Sequence, residues 1–132
     1  MDNRPFVSVL IPTYNRSGLL QKAVKSALAQ SYDHLEVVVS DNASTDDTQN
    51  LMQDIVSSDV RVRYIRSPYN LGPIRNWRKS FDSATGKFCL VLCDDDFLLD
   101  IEYIANGVSL LERYNSGLLI ADRIIGSCEK KM

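Results

Sequence analysis

Short apolar stretches rich in β-branched residues alternate along this chain with segments of helical periodicity. Four of these stretches predict strands, at residues 6–11, 35–40, 60–66 and 88–93, and a shorter one at 118–121 predicts a fifth. Strand–helix alternation at this spacing requires a parallel sheet with right-handed crossovers. We therefore expect an α/β fold with a Rossmann-like, mostly parallel sheet and helices on both faces.

The strands and helices carry more specific expectations. Pro12 should stop the first strand, the third strand should lie at an edge with its arginines solvated, and the fourth should be the most buried. Ser44 should cap the second helix, with Asp47 three residues on. The apolar residues expected to face the core are, helix by helix, Leu19, Leu20, Ala23, Val24, Ala27 and Leu28; Leu51, Met52, Ile55 and Val56; Ile74, Trp77, Phe81 and Ala84; and Ile104, Val108 and Leu111, the last in a helix over about 100–114.

The composition is that of a single globular domain of 132 residues, with 45% apolar residues, 24% charged residues and a net charge of −2. This balance does not favour nucleic acid as a partner, so small molecules or proteins are expected. No signal peptide and no apolar run of about 20 residues is visible, which predicts a cytoplasmic protein. Of the three cysteines, Cys89 and Cys93 are expected to be buried free thiols, and His34 a solvated loop residue.

Polar and conformationally flexible residues follow each of the first four strands at its carboxyl end. They are, strand by strand, Pro12, Thr13, Tyr14, Asn15 and Arg16; Asp41, Asn42 and Ala43; Ser67, Pro68, Tyr69, Asn70, Leu71 and Gly72; and Asp94, Asp95 and Asp96. Open parallel sheets bind their ligands at this edge. The sequence therefore predicts a functional site there.

The strongest chemical signal at this edge is the run of three carboxylates, Asp94 to Asp96, which repel one another unless a cation or water offsets their charge. The first strand–helix loop contains neither GxGxxG nor GxxxxGK[ST], so no glycine-rich loop cradles phosphates. Mg²⁺ or Mn²⁺ held by the carboxylates would attract phosphate oxygens instead. The alternative is a solvated turn, or acidic residues at the start of the next helix.

Several other residues at this edge have two readings. Asp41 could accept hydrogen bonds from a nucleotide base or ribose, or could cap the turn that follows it. Tyr14 could stack on a base or pack within its loop. Arg75 and Asn76 could reach a pyrophosphate or lie on the surface.

Four segments in order, "VSVLIPTYNR", "VVVSDNASTDDT", "NLGPIRNW" and "LVLCDDDF", resemble the signature of family-2 glycosyltransferases, the inverting enzymes with the GT-A fold. The resemblance spans roughly residues 6–115. The second and third segments together also resemble the branch that builds bacterial surface polysaccharides, which includes abequosyl- and rhamnosyltransferase-like members.

This resemblance implies a role for residues at matching positions. The implied nucleotide-binding residues are Pro12, Thr13, Tyr14, Asn15, Asp41, Asn70, Gly72, Arg75, Asp94 and Asp95. Asp96, together with Asp94, would hold Mg²⁺ or Mn²⁺ in a DxD-type motif. The implied partners are a nucleotide-diphospho-sugar donor and a saccharide or lipid-linked acceptor, with the protein in the cytoplasm or peripheral at the inner face of the membrane.

The family also uses an acidic base well beyond the DxD motif, and the sequence offers no carboxylate in that context. We therefore expect this chain to correspond to the donor-binding half of the fold, with little transfer activity by itself. A non-catalytic nucleotide-sugar-binding module, or a domain that forms homo-oligomers through an open sheet edge, is the second hypothesis. A phosphotransfer domain is the third, although no basic or hydroxyl partner for a nucleophilic aspartate is evident.

Overall fold

The computed structural model describes residues 2–119, in which strands and helices alternate as predicted. In chain order the elements are β1 (Val7–Thr13), α1 (Ser17–Leu28), β2 (Leu35–Asp41), α2 (Thr48–Ser58), β3 (Val62–Arg66), α3 (Pro73–Ser83), β4 (Phe88–Val91) and α4 (Tyr103–Arg113). All strand pairs are parallel, and the strands lie in the order β3-β2-β1-β4. The predicted α/β class is confirmed.

β1 continues through Pro12, which the sequence predicted would stop it. β4 pairs with β1 only from Val7 to Leu10, so no ladder bond is lost where the proline lacks its N–H. On the other side of β1, the Asn42 N–H donates to the Thr13 carbonyl at 3.0 Å. The longer strand carries Thr13 to the carboxyl edge of the sheet.

β4 is half-exposed and ends at Val91, whereas the sequence predicted the most buried strand, reaching residue 93. Every residue of β1 and β2 is buried, because each of these strands has a neighbour on both sides. Within residues 2–119, β4 has a neighbour only in β1, so Cys89 is exposed and not buried as expected. β3 is the other edge strand, as predicted. Leu118 and Leu119 are not in a strand, and the rest of the predicted fifth strand lies outside the described residues.

Helices cover both faces of the sheet. Val7, Val9 and Ile11 of β1 belong to one apolar cluster with buried residues of α1, α2 and α4. Successive strand residues point to opposite faces, so Ser8 and Leu10 lie on the other face. α3 contacts β1 and β2 and covers that second face, as its bonds to Ser40 show.

α3 buries a polar face, which corrects the predicted orientation. Its buried residues are Asn76 and Ser80, whereas Ile74 is 83% exposed, Phe81 48% and Trp77 38%. The buried Ser40 hydroxyl donates to Asn76 Oδ1 at 2.7 Å, and Asn76 Nδ2 donates to the Ser40 carbonyl at 2.9 Å. A buried hydroxyl requires a hydrogen-bond partner, and this pairing sets which side of the helix faces the sheet.

α2 begins at Thr48, four residues after the predicted cap. Ser44 bonds Asp41 instead, and Asp47 occupies the cap position without a side-chain cap bond. Asp46 accepts hydrogen bonds from the Thr48 backbone N–H at 3.1 Å and from its hydroxyl at 2.6 Å. The acidic side chains before α2 therefore form hydrogen bonds within their own loop and with the first residue of the helix, and none of them caps the helix at Ser44.

The arginines of and beside β3 pair with acidic side chains, and two of them, Arg63 and Arg66, are also exposed, as predicted for an edge strand. Arg61 bonds Asp59, and Arg63 Nη1 lies 2.8 Å from Oε2 of the buried Glu36. Glu36 also accepts bonds from the Ser8 hydroxyl and from the backbone N–H and hydroxyl of Thr85. Burial opposes the shift, but these donors lower the pKa of Glu36. One carboxylate thus joins β1, β2, β3 and the turn before β4.

Two smaller expectations concern His34 and the membrane. His34 lies in the loop before β2, as predicted, but it is half-buried and not fully solvated, with its ring centroid 5.0 Å from that of Phe6. Among the helices formed by residues 2–119, none has the length and apolar character needed to cross a membrane.

Candidate functional site

A cleft of about 590 Å³ opens at the carboxyl edge of the sheet, where the sequence predicted a site. Its lining residues come from the end of β1, from all four strand–helix connections and from α3: Pro12, Thr13, Tyr14, Arg16, Asn42, Asn70, Pro73, Asn76, Trp77, Cys93, Asp94 and Asp95. A smaller apolar groove of about 320 Å³ runs along β4 and α4 and contains none of these side chains. The polar cleft is therefore the candidate site.

Asn15 joins the loop after β1 to the loop after β2. Its backbone has a φ of 51°, a left-handed conformation that asparagine tolerates better than most residues. Its N–H donates to the Ser44 hydroxyl at 2.9 Å, and its Oδ1 accepts from the Thr45 N–H at 2.7 Å. These bonds fix the turn that presents Tyr14 and Arg16 to the cleft, while Asn15 itself lies outside the lining.

Asp94 is held at the floor of the cleft by two donors. It is 6% exposed, its Oδ2 accepts from the Thr13 hydroxyl at 2.8 Å, and its Oδ1 accepts from Arg16 Nη1 at 3.1 Å. The same Arg16 nitrogen lies 3.3 Å from Asp95 Oδ2. A guanidinium thus offsets part of the negative charge that makes three adjacent carboxylates costly.

Asp95 and Asp96 are exposed and stand close to Cys93. One ligand atom from each of these three side chains can be chosen so that all lie within 4.8 Å of one another. Carboxylate oxygens suit Mg²⁺ or Mn²⁺, whereas a thiolate favours softer ions. The two aspartates therefore fit the implied divalent cation. Asp94, which the sequence paired with Asp96 as a metal ligand, lies outside this group.

Asp41 is fully buried, and both carboxylate oxygens are engaged by neighbouring side chains. Oδ1 accepts from the Ser44 N–H at 2.9 Å and from its hydroxyl at 2.6 Å, and Oδ2 accepts from the Tyr64 hydroxyl. Burial, then the bond to Asp41, raises the pKa of Tyr64. Of the two readings of Asp41, turn capping is confirmed. Contact with a nucleotide stays a prediction that would require these bonds to rearrange.

Asn42 and Asn70 form a hydrogen-bonded part of the cleft lining. Asn42 Nδ2 donates to Asn70 Oδ1 at 2.8 Å, and Asn42 Oδ1 accepts from the Leu71 N–H at 2.7 Å. Asn70 Oδ1 also accepts from the N–H of Gly72, whose φ of 83° is a conformation that glycine adopts readily. Pro73 then begins α3, which carries Asn76 and Trp77 into the cleft.

The structure brings together six of the residues predicted to bind a nucleotide, namely Pro12, Thr13, Tyr14, Asn70, Asp94 and Asp95. Asn15, Asp41 and Gly72 support the loops, Arg75 is exposed outside the cleft, and Asp96 lies at its rim beside Asp95. Sequence reasoning placed Arg16 and Asn42 at the edge of the sheet where the site was predicted, because they follow strands, but it gave neither a binding role. It assigned no role in the site to Trp77 or Cys93. Trp77 was assigned to the core on its helical spacing.

Comparison with known proteins agrees with the geometry. The family model described as "Glycosyl transferase family 2" matches residues 8–131. A β-1,3-glucosyltransferase of Campylobacter jejuni, named for the substrate GalNAc(5)-diNAcBac-PP-undecaprenol, is 36% identical over 94% of this chain and 38% of its own length. An abequosyltransferase of Salmonella typhimurium is 32% identical over 93% of this chain and 37% of its own. The chain thus spans under two-fifths of the length of these relatives.

Solved structures share the fold. A mannosyltransferase from Pyrobaculum calidifontis, in complex with GDP-Man and Mn²⁺, superposes with a TM-score of 0.75 and 28% identity, over 82% of this chain and 32% of that one. TarS of S. aureus with UDP-GlcNAc gives a TM-score of 0.77 over 96% of this chain and 38% of that one, at 22% identity, a likeness of fold alone. The fold is that of GT-A glycosyltransferases, and with a family model that matches residues 8–131, the chain belongs to glycosyl transferase family 2.

Proposed function

We propose that the cleft binds a nucleotide-diphospho-sugar together with a divalent cation, and that the chain is the donor-binding part of an inverting glycosyltransferase. The observation that carries the proposal is the convergence of Thr13, Arg16, Asp94 and Asp95 on one cleft at the carboxyl edge of the sheet. The complex of the similar Pyrobaculum enzyme with GDP-Man and Mn²⁺ supports it.

The lining residues suggest how the donor would be held. Tyr14 and Trp77 offer aromatic surfaces that suit a base or a sugar ring, and both are partly exposed in the cleft. Thr13, Asn70 and Asp94 supply polar atoms close to these surfaces. We assign direct contacts to the residues that line the cleft, and loop support to Asn15, Asp41 and Gly72. Arg75 is exposed and does not line the cleft, and its contact with the donor stays a prediction.

Asp95 and Asp96 are the side chains that would hold the cation, either Mg²⁺ or Mn²⁺. A bound divalent cation supplies a Lewis acid that offsets the charge of the departing nucleoside diphosphate. Leaving-group stabilisation matters in sugar transfer because the transition state has oxocarbenium character. Arg16 adds a second positive group on the same side of the cleft.

The process that we propose is the synthesis of bacterial cell-surface polysaccharide, with a saccharide or lipid-linked acceptor. The support comes from relatives: the Campylobacter enzyme is named for a polyprenyl-diphosphate-linked saccharide, and another relative, from Bacillus subtilis, for teichuronic acid biosynthesis. An acceptor of this kind would place the protein at the inner face of the cytoplasmic membrane.

Nucleotide titration of the 132-residue chain tests the donor site. Trp77 is the only tryptophan in the sequence and lines the cleft, so its fluorescence should report occupancy. We expect UDP, GDP, CDP or dTDP, in the presence of Mn²⁺ or Mg²⁺, to change its emission and to raise the unfolding temperature. Ligand at 100 times its Kd would stabilise the fold by about 2.7 kcal/mol.

The matched variants are Asp95→Asn in the cleft and Asp54→Asn, an exposed acidic residue on α2. Asp95→Asn should weaken nucleotide binding in the presence of metal about tenfold or more, because it removes a charged ligand of the cation. Asp54→Asn should bind like the wild type. The proposal fails if none of the four nucleotides changes either signal with any metal.

A further inference from the structure

A single guanidinium nitrogen of Arg16 lies between two carboxylates of the cleft. Nη1 is 3.1 Å from Asp94 Oδ1 and 3.3 Å from Asp95 Oδ2. The two carboxylates differ in burial, since the Asp94 side chain is 9% exposed and the Asp95 side chain 52%. Asp94 also has the Thr13 hydroxyl, so Asp95 is the partner that Arg16 can release more easily.

Asp95 has two competing uses. It pairs with Arg16, and it also belongs to the group of Cys93, Asp95 and Asp96 whose ligand atoms lie within 4.8 Å of one another. A divalent cation held by Asp95 would stand close to the positive charge of Arg16, and two such charges repel each other. The ion pair of Arg16 with Asp95 and the binding of a metal ion to Asp95 therefore weaken each other.

Arg16 is placed so that it can exchange partners. It is the residue that precedes α1, its side chain is half-exposed, and it lines the cleft. Ion pairs at such exposed positions contribute little to stability, so the contact with Asp95 can break at small cost. A guanidinium next to the amino terminus of a helix also suits a diphosphate. The guanidinium is positively charged and the helix terminus has a partial positive charge, so both attract the anion.

We propose that Arg16 exchanges Asp95 for the donor's diphosphate, and so makes the binding of the metal ion depend on the binding of the diphosphate. Without a donor, Arg16 neutralises Asp94 and Asp95 and opposes the binding of metal alone. When a diphosphate enters with its cation, Asp95 turns to the cation and Arg16 binds phosphate oxygens. This assignment rests on the proposed function, since it names a diphosphate-binding residue of the same site.

Calorimetry on the full 132-residue chain, with Mn²⁺ alone and with inorganic pyrophosphate in the presence of Mg²⁺, tests the exchange. In Arg16→Gln we expect Mn²⁺ alone to bind about three- to tenfold more tightly, because the competing charge is gone. The same variant should bind pyrophosphate about tenfold or more weakly, because a charge-assisted contact is lost. Merely structural damage would weaken both ligands together, so the opposite signs identify the exchange.

Two further variants serve as controls. Arg16→Lys keeps the charge and should recover part of the pyrophosphate affinity, and Arg113→Gln, which alters an exposed arginine in the last turn of α4, should match the wild type with both ligands. The proposal is overturned if Arg16→Gln binds Mn²⁺ no more tightly than the wild type, or binds pyrophosphate equally well. It is also overturned if the wild-type chain binds neither.

The outcome can be separated from that of the proposed function. The four nucleoside diphosphates could fail to bind while Mn²⁺ and pyrophosphate show the expected dependence on Arg16. That result would support the exchange by Arg16 and reject the proposed nucleotide-sugar site. If a nucleoside diphosphate binds but Arg16→Gln changes neither the Mn²⁺ affinity nor the pyrophosphate affinity, the nucleotide-sugar site is supported and the exchange by Arg16 is rejected.

Discussion

At the scale of single residues, Asp41 and Tyr64 form a polar contact in which the carboxylate is fully buried. Asp41 has no exposed surface, and the Tyr64 hydroxyl donates to its Oδ2. The nearest positive group is Arg66, whose Nε is 3.8 Å from the same oxygen. A buried carboxylate that loses one donor bears an uncompensated desolvation cost, so this tyrosine should matter more than its aromatic surface suggests.

We predict that Tyr64→Phe lowers the free energy of unfolding by about 1–3 kcal/mol at pH 7. The pKa of folded Tyr64 lies above the value of about 10 expected in the unfolded chain, so its contribution is complete below pH 10 and is lost as pH rises further. The variant should therefore lose stability less steeply above pH 10 than the wild type. Urea unfolding between pH 7 and 11 measures both effects.

Tyr69→Phe is the matched control, since Tyr69 is 65% exposed. It should unfold like the wild type across this range. Some alkaline dependence should persist in all three proteins, because burial also raises the pKa of Tyr32. Equal stability of the Tyr64 and Tyr69 variants at pH 7 would show that the contact with Asp41 contributes nothing.

At the scale of secondary structure, α3 is the element whose packing departs furthest from its hydrophobic pattern. Its spacing places Ile74, Trp77 and Phe81 on one side, yet Asn76 and Ser80 face the sheet. The reason is the buried serine at position 40 of β2, which can be satisfied only by a polar partner. The apolar side of α3 then borders the cleft through Trp77.

Alanine substitution should destabilise the protein more on the polar side of α3 than on its apolar side, the reverse of what hydrophobicity suggests. Asn76→Ala should lower the free energy of unfolding by about 1–3 kcal/mol, since it removes the amide that pairs with the Ser40 hydroxyl and carbonyl and leaves the hydroxyl only the longer bond to the backbone carbonyl of residue 76. Ile74→Ala should change it by less than about 0.5 kcal/mol, because that side chain is 83% exposed. Urea denaturation at pH 7 measures both. A larger loss in Ile74→Ala would contradict the orientation of this helix.

At the scale of the whole molecule, paired carboxylates determine how stability depends on acid. Hydrogen-bond donors lower the pKa values of Asp2, Asp33, Glu36, Asp46 and Asp59. Burial opposes the lower pKa in all five and is the largest single effect in Glu36 and Asp46. A carboxylate with a lowered pKa stabilises the fold fully above its unfolded value of about 4 and loses this contribution as pH falls below it. Stability should therefore decline below about pH 4.

Glu36→Gln should lower the free energy of unfolding by about 1–3 kcal/mol at pH 7, because it removes the charge that Arg63 and Thr85 bind. The difference from the wild type should shrink toward pH 3, where the wild-type carboxylate is being protonated as well. Glu112→Gln, which alters an exposed pair with Lys87, is the control and should change little. A deficit of Glu36→Gln that stays constant from pH 7 to pH 3 would rule out this ionic role.

Much of the architecture could be predicted from the sequence because it depends on local patterns. Alternating strands and helices lead to a parallel sheet, and the carboxyl edge of such a sheet collects the residues that follow each strand. Thr13, Tyr14, Asn70, Asp94 and Asp95 were found in this way. The length of β1 and the start of α2 were not, since Pro12 is tolerated only because β4 stops short of it, and Ser44 is engaged by Asp41.

The sequence by itself determined the α/β class, the edge of the sheet that carries the cleft, and most of the residues that line it. Only the tertiary structure decided that α3 turns its polar side inward, that β4 is half-exposed, and that Arg16 bridges Asp94 and Asp95. These features depend on partners far apart in the chain, a serine on one strand and an asparagine on a later helix, or an arginine and an acidic turn 78 residues on. Local periodicity carries no information about such pairs, because their hydrogen bonds and charges meet only after the sheet has formed.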